Sequence, residues 1–327
     1  MGALRVTPLA AESFGVRSMC TMVETPDVKV LLDAGVSLCP FRSGYPPHPL
    51  EFNAMVDLRK QIAEAAEKAE IVTISHYHFD HHTPSHEDWL VNWTEEDETA
   101  HQIYTGKRVL MKNPDLNINA SQRERARKFQ KTGGKYAKQL EAADGGVFSF
   151  GAETKLQFSK AVFHGSESSG LGWVTMVTVS HGDERFVFAP DVQGPMASIT
   201  AELIKAQKPR LLLIGGPPFY LAGFKVDAVQ LRNAVANLKS IVEAVPTTII
   251  EHHTLRDSAW QTNLAGVSEA AAEAGHRIVT GAEYAGKANL LLEANRARLY
   301  AEHPPSKDFQ NWMRLSGLEQ SHTKPPI

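Results

Sequence analysis

Cysteine is scarce in this chain: its 327 residues contain only Cys20 and Cys39. Two isolated thiols make no disulfide framework of the kind that holds small secreted domains together, and they fit a reducing, cytoplasmic setting. Long apolar runs are missing too. No stretch of about 18 apolar residues occurs, so no membrane-spanning segment is expected. The N-terminus, Met1-Gly2-Ala3-Leu4-Arg5-Val6-Thr7-Pro8, lacks a charged region followed by a long apolar core, so no signal peptide is expected. Charge of one sign is not in excess. With 34 Lys and Arg against 37 Asp and Glu, the net charge is −3, and whole-molecule electrostatics argue neither for nor against nucleic acid. No internal repeat and no clear linker divide the chain. Hydrophobic and charged contents of 43% and 22% are those of an ordinary globular protein. The length accommodates one large α/β domain or about two smaller ones.

Histidine is abundant, with fourteen in all, and their placement says more than their number. The apolar, β-branched run Ile71-Val72-Thr73-Ile74 ends in Ser75 and is followed by His76-Tyr77-His78-Phe79-Asp80-His81-His82-Thr83-Pro84. A strand that stops and releases four imidazoles and a carboxylate into a tight turn has no use for them in packing, and imidazole with carboxylate is a ligand set for Zn²⁺. At the end of an extended segment residues i and i+2 point the same way, so His76 and His78 can face one ion. Asp80 and His81 diverge from them and can reach a second. Two ions about 3.5–4 Å apart need about six protein ligands, and this motif supplies four.

The remaining ligands belong at the ends of other strands, and the periodicity places candidates there. Short strands are expected at 3–9, 19–24 and 28–32, the last ending in Asp33-Ala34-Gly35. Four prolines in 40–49 make that stretch an irregular loop. Residues 50–69 carry apolar positions at helical spacing (Met55, Leu58, Ile62, Ala65). Ser121 with Glu124 reads as a capping box opening a helix to Lys131. Strands follow at 147–150, 156–158, 161–163, 173–179 and 186–189, with Gly182-Asp183 as a hairpin turn. Then come a short helix at 199–206, a strand at 210–214, a long amphipathic helix at 226–245 and a strand at 247–250, with further helices at 268–274 and 284–302. His164, Asp191 and the pair His252-His253 each follow a strand. Asp33, also at a strand end, is placed to orient a metal-bound histidine. His82, His48, His86, His101, His181, His276, His303 and His322 read by default as residues outside the ligand set. The element order implies two sheets sandwiched between outer helices.

His76-x-His78-x-Asp80-His81, joined in order by His164, Asp191 and a late histidine, resembles the metallo-β-lactamase superfamily. The likeness covers most of residues 3 to about 300. Within the superfamily it is nearer to a mainly archaeal group of predicted metal-dependent hydrolases. The residues that carry this are Glu12-Ser13-Phe14-Gly15-Val16-Arg17-Ser18, Asp33-Ala34-Gly35-Val36-Ser37-Leu38, Pro46-Pro47-His48-Pro49, the 75–84 motif and His252-His253-Thr254-Leu255-Arg256-Asp257. The resemblance implies an α/β, αββα sandwich with the site at one edge and a helical insertion around 86–140. It implies a catalytic domain over 1–303, with a basic insertion at 104–140, and a C-terminal tail at 304–327. His76, His78 and His164 would hold a first metal; Asp80, His81 and His252 a second; Asp191 would bridge. His253 is the alternative to His252, whose Arg256 four residues on parallels a His-x-Ser-x-Arg-Tyr stretch in tRNA-processing members, here departing at Thr254 and Asp257.

The expected cofactors are two Zn²⁺ ions, with iron or manganese as alternatives. They would lower the pKa of a bridging water from about 15.7 toward about 7 and so generate a hydroxide nucleophile. Asp80 can ligate and also orient it. His82, His253 and Tyr220 are candidates for protonating the leaving atom, and Tyr220 and Arg256 for contacting substrate. Residues 107–138 hold ten Lys and Arg against Asp115 and Glu124. They read as a solvated helix face or as a phosphate-attracting flap hinged at Gly133-Gly134. The expected function is therefore a hydrolase acting on a phosphoester or phosphodiester, with an anionic small molecule or a nucleic acid as substrate. The alternatives are hydrolysis of small esters, lactones or thioesters, and an iron-dependent oxidoreductase or metal-stabilised binding protein. Diiron electron-transfer members usually carry Glu where His78 stands, which disfavours the oxidoreductase. No membrane partner is expected, and a homo-oligomer is compatible with the sequence.

Overall fold

The computed structural model describes residues 3–327. Among them, two mixed sheets lie face to face. The first contains β1 (Arg5–Pro8), β2 (Thr21–Glu24), β3 (Lys29–Leu32), β4 (Ile71–Ile74), β5 (Arg108–Met111) and β6 (Gln139–Ala142), in that spatial order. Its first three strands pair antiparallel and β3 to β6 run parallel. The later strands are β7 (Val147–Phe150), β8 (Thr154–Phe158), β9 (Val162–Phe163), β10 (Trp173–Val174), β11 (Val177–His181), β12 (Glu184–Ala189), β13 (Leu211–Gly215), β14 (Thr247–Glu251) and β15 (Arg277–Val279). All but β9 and β10, which form a separate ribbon, build the second sheet in the order β15-β14-β13-β12-β11-β8-β7. There β12 to β15 are parallel and the rest antiparallel.

The period-two alternation of strands divides the apolar residues among three layers of core. Val30 and Leu32 of β3 and Ile71 of β4 point inward and meet Phe158, Val179, Phe186 and Phe188 of the second sheet. Leu31, Val72 and Ile74 point outward, against Phe52, Met55 and Ile62 of α1 (Pro49–Lys68). Ala100 and Tyr104 of α2 (Glu98–Tyr104) and Phe129 of α3 (Ala120–Lys131) join that layer. On the far side, Val187, Leu212, Ile214 and Ile250 pack against Ile204 of α4 (Ser198–Ala206) and Leu238 and Ile241 of α5 (Ala228–Val242). The central strands are covered on both faces, which is why they read as continuous apolar runs. This is the expected αββα sandwich. Among the described residues, no helix is long and apolar enough to cross a membrane.

Several expectations change. The stretch 86–140 is not a purely helical insertion: it supplies β5 and β6, parallel to β4, with α2 and α3 as the connections over the sheet face. The cap of α3 is Asn119, whose side chain accepts from Gln122 N at 2.8 Å, rather than Ser121. Gly133 and Gly134 are buried in close packing, since a Cβ on Gly134 would lie 2.9 Å from Phe129 O; this geometry gives no hinge. The continuous helix expected at 284–302 is broken. A turn of helix at Gly281–Tyr284 gives way at Gly286 (φ +70) to irregular chain until Arg296–Glu302. This arrangement sends Arg296 into a fully buried bidentate pair with Glu51 of α1, both contacts 2.7 Å. The C-terminal tail wraps onto the first sheet's outer layer. Its helix Lys307–Trp312 seats Phe309 and Trp312 edge-on against Phe52, and Trp312 Nε1 donates to Thr323 O at 2.7 Å.

The tail therefore belongs to the core. Phe309→Ala is expected to lower unfolding free energy by about 3–5 kcal/mol, whereas Leu318→Ala, at a position 71% exposed, should stay within about 0.5 kcal/mol. Denaturant unfolding of the two variants checks this, and equal effects would mean the tail is only loosely attached.

Candidate metal centre

The parallel strands β3 and β4 of one sheet and β12 and β14 of the other end at a common edge, where chain leaving a strand is free of the ladder and can turn its side chains together. Three of those strand ends take a left-handed backbone at non-glycine residues: Asp33 (φ 47), Asp191 (φ 50) and His252 (φ 62). Such conformations cost of order 1–3 kcal/mol each and persist where surroundings over-determine them. Gly35 enables the approach of the motif. A Cβ there would lie 2.3 Å from His82 N and 2.5 Å from His81 N, so only glycine lets the 80–82 turn rest on the end of β3.

Six imidazoles converge on the carboxylate of Asp191. Its Oδ2 lies 3.1 Å from His76 Nε2, 3.9 Å from His78 Nδ1, 3.3 Å from His81 Nε2 and 3.0 Å from His164 Nε2. Its Oδ1 lies 2.8 Å from His252 Nε2 and 3.2 Å from His253 Nε2. Four groups of side chains bring possible ligand atoms within 4.8 Å of one another: His76, His78, His164 and Asp191; Asp80, His81 and His252; Asp191, His252 and His253; and Asp33, His76 and His81. The first two are the groups expected to hold two ions, with His252 Nε2 3.4 Å from both Asp80 Oδ2 and His81 Nε2 in the second. Asp191 stands between them.

Buried carboxylates orient the ligands. His81 Nδ1 meets Asp33 Oδ2 at 2.7 Å, and Asp33 is itself held by Ser75 N, at 2.8 Å, and by the Ser75 hydroxyl. His252 Nδ1 lies 3.0 Å from Glu12 Oε1, and Glu12 accepts from Arg256 Nε at 2.8 Å. In each case a carboxylate accepts from Nδ1–H and directs Nε2 toward Asp191, the arrangement that fixes ring angle in metal-ligating histidines. Burial favours neutral rings, but the Asp191 charge outweighs it and raises His81 above the ordinary imidazole range and His252 up to about 9, so an ion binding there would displace the Nε2 protons. Glu251, beside His252, anchors the N-terminal segment in turn: it accepts from Ser13 N at 3.2 Å, Gly281 N at 2.7 Å and the Ser13 hydroxyl. Burial and the nearby Glu12 charge push Glu251 up to about 7.

The donor set fits cations. Both ring nitrogens of His164 and Asp191 Oδ1 are buried with no hydrogen-bond partner among the described residues, a state that buried polar atoms rarely tolerate. Burial, then neighbouring histidine charge, pushes His76 well below the ordinary imidazole pKa, and burial lowers His78; neutral imidazole is the ligating form. Burial favours protonation of Asp80 and Asp191, but the imidazoles around them reverse this and hold both well below the usual carboxylate range.

The site opens into a cavity of about 720 Å³ lined by His78, Asp80, His164, Asp191, His252 and His253. Tyr220 and Arg256 line it as well. Tyr220 Oη is 3.1 Å from His253 Nδ1 and 3.3 Å from Arg256 Nη1. Arg256 is committed to Glu12 and lies 3.6 Å from Asp80 Oδ2. His82 is not brought to the cluster. It is buried, its Nδ1 meets His78 O at 3.0 Å, and its ring packs against Tyr77, Phe79 and Phe129. The orienting role of Glu12 was not foreseen; its signal is that it opens the Glu12-Ser13-Phe14-Gly15-Val16-Arg17-Ser18 stretch that carries the family resemblance. The basic stretch 107–138 is mostly engaged elsewhere. Lys112 pairs with Asp144 at 2.6 Å, Arg108 with Glu141, and Lys135 with Asp97 at 2.7 Å. Arg125 alone of that stretch lines the cavity.

No family model matches the chain. It is 43% identical over 305 residues to a UPF0282 protein of Methanopyrus kandleri, across 91% of this chain and 100% of that one. It is 38% identical over 310 residues to a UPF0282 protein of Korarchaeum cryptofilum, across 94% and 99%. Among solved structures, it is similar to a metal-dependent hydrolase of the beta-lactamase superfamily, with a TM-score of 0.47 and 15% identity over 85% of this chain and 95% of that one.

Removing an orienting carboxylate tests the centre without touching a ligand. Asp33→Ala and Glu12→Ala should each weaken metal binding about 10–100-fold, read by competition with a chromogenic chelator. Undiminished affinity in both would mean that the two carboxylates do not organise the ligands. Gly35→Ala should likewise reduce the metal retained per chain, measured by elemental analysis, whereas Gly266→Ala, whose new Cβ meets nothing within 4 Å, should retain the wild-type content.

Proposed function

We propose that this chain, which belongs to the UPF0282 protein family, is a metal-dependent hydrolase acting on a phosphoester or phosphodiester bond. In this reading His76, His78 and His164 hold one ion, Asp80, His81 and His252 a second, and Asp191 both. The observation that carries it is the convergence of six imidazoles, five of them buried, on Asp191, two of them oriented by their own carboxylates. The αββα fold and the order of ligands along the chain, as in the superfamily it resembles, support the same reading. Zinc fits the nitrogen and oxygen donors, with iron or manganese as alternatives.

Two such ions, when bound, supply a water acidified toward neutral pH and Lewis-acid stabilisation of developing negative charge. The chain's own groups do the rest. Asp33 and Glu12 keep Nε2 of His81 and His252 directed at the site. His81 and His252, with Arg256 adding to them, keep the Asp80 carboxylate ionised, so that it could ligate an ion and accept a hydrogen bond from the nucleophile, while Arg256 holds Glu12. Tyr220 Oη and His253 Nδ1, 3.1 Å apart on the cavity wall, hold the proton that the departing atom needs. Arg125 and Lys225, cavity residues without an ion-pair partner among the described residues, draw an anionic substrate. Hydrolysis of a small ester, lactone or thioester is the second reading, favoured by the apolar wall of Leu38, Val91, Met196 and Leu221.

An aryl phosphodiester assayed beside a lactone panel, with metal-loaded protein, separates the two. Chelation should abolish turnover and lower the melting temperature, because the bound ions stabilise only the folded chain. Asp80→Ala and His81→Ala should each reduce kcat/KM at least about a hundredfold. Full activity in either variant would eliminate the two-ion reading.

A further inference from the structure

The cations on the cavity wall are not equivalent. Arg17 is tied to Glu293 by two 2.6 Å hydrogen bonds, and Arg42 shares that carboxylate at 3.2 Å. Arg256 is committed to Glu12. Lys225 is exposed at the rim beside Phe224, itself 80% exposed, where solvent screens it. Arg125 differs from all of these. It is half-buried, no carboxylate pairs with it among the described residues, and its guanidinium lies 4.9 Å from the centroid of the Phe79 ring. Among the described residues its one protein hydrogen bond is a long one, 3.5 Å from Nη1 to Tyr77 O. Phe79 stands between His78 and Asp80, so stacking on it holds the guanidinium beside the metal ligands while its donor edge stays free.

The neighbouring wall supplies matching donors. Ser166, Ser168, Ser169 and Gly170 of the segment after His164 line the same cavity. That segment is pinned at both ends: Gln230 Nε2 donates to Ser166 Oγ at 3.1 Å, and Asn119 Nδ2 and Gln122 Nε2 of the α3 start donate to Gly170 O and Leu171 O at 2.9 and 2.8 Å. A stacked, unneutralised guanidinium facing a hydroxyl-rich wall suits a tetrahedral oxyanion with several acceptor oxygens.

We propose that Arg125 and the Ser166–Gly170 wall form a second anion position, which selects substrates carrying a phosphate group apart from the bond that is cleaved. This rests on the hydrolase reading for the word substrate, but the binding position can be tested without turnover. The probes are inorganic phosphate and the non-hydrolysable propane-1,3-diyl bisphosphonate, titrated calorimetrically into metal-loaded protein. Phosphate reports the metal site alone, and the bisphosphonate can also engage Arg125. The wild type should bind the bisphosphonate about 10–100-fold more tightly than phosphate, the value of a hydrogen-bonded charge contact. In Arg125→Gln the advantage of the bisphosphonate over phosphate should collapse to near one, because only the bisphosphonate can span the metal site and Arg125, and Arg125→Lys should keep part of it. A preference that survives Arg125→Gln, or is absent from the wild type, overturns the proposal. Loss of the preference in a protein that hydrolyses no phosphoester would uphold the anion position and remove the hydrolase reading instead.

Discussion

The interaction on which the site depends is the burial of one carboxylate among six imidazoles. Asp191 is 1% exposed, and each of its oxygens faces several ring nitrogens at 2.8–3.9 Å. Left to themselves, those lone pairs and that charge would be poorly satisfied in a medium where unpaired polar groups are costly. Cations resolve the conflict, and the surroundings are arranged as if for them. The imidazoles come from three separate strand ends and Asp191 from a fourth, and the outer nitrogens of His81 and His252 are engaged by carboxylates.

The fold delivers this through position and restraint. Two sheets whose parallel strands end at one edge present their exits to each other across the inner core. The strained backbone at Asp33, Asp191 and His252 turns each exit inward. Around it, buried ionic contacts fasten segments distant in sequence. Glu12 reaches His252 and Arg256, Glu251 reaches Ser13 and Gly281, and Glu51 reaches Arg296. Removing one partner of such a pair leaves a charge uncompensated in the interior, so the N-terminal turn and the C-terminal third of the chain are coupled to the metal centre rather than appended to it.

Much of the architecture was legible because its signals are local. Ile71 to Ile74 is apolar and β-branched, α1 carries its core residues at helical spacing, and Gly182 marks the β11–β12 turn. The elements misread are those where tertiary contacts override local preference. Residues 108–111 became a strand because β4 offered an edge, 139–142 because β5 then offered the next, and a charged composition concealed this. The helical pattern after Tyr284 yields to the buried pairing of Arg296 with Glu51. Ser121 has the form of a cap, but Asn119, two residues earlier, takes the place because its side chain also reaches the loop after His164.

The sequence by itself determined the candidate donor set: the residue types that could ligate a metal, their order and their places at strand ends are written in short motifs, since a strand followed by imidazoles and carboxylate needs no distant partner to be recognised. Only the tertiary structure decided which groups meet. It joined His252 to Asp80 and His81, turned His82 into an apolar pocket, brought Glu12 from the N-terminal turn to His252 and Arg256, and left Arg125 as the one cation of a basic segment that faces the cavity. Those outcomes depend on distances between residues far apart in the chain, set by how two sheets stack and which buried charges pair, and no local pattern encodes them.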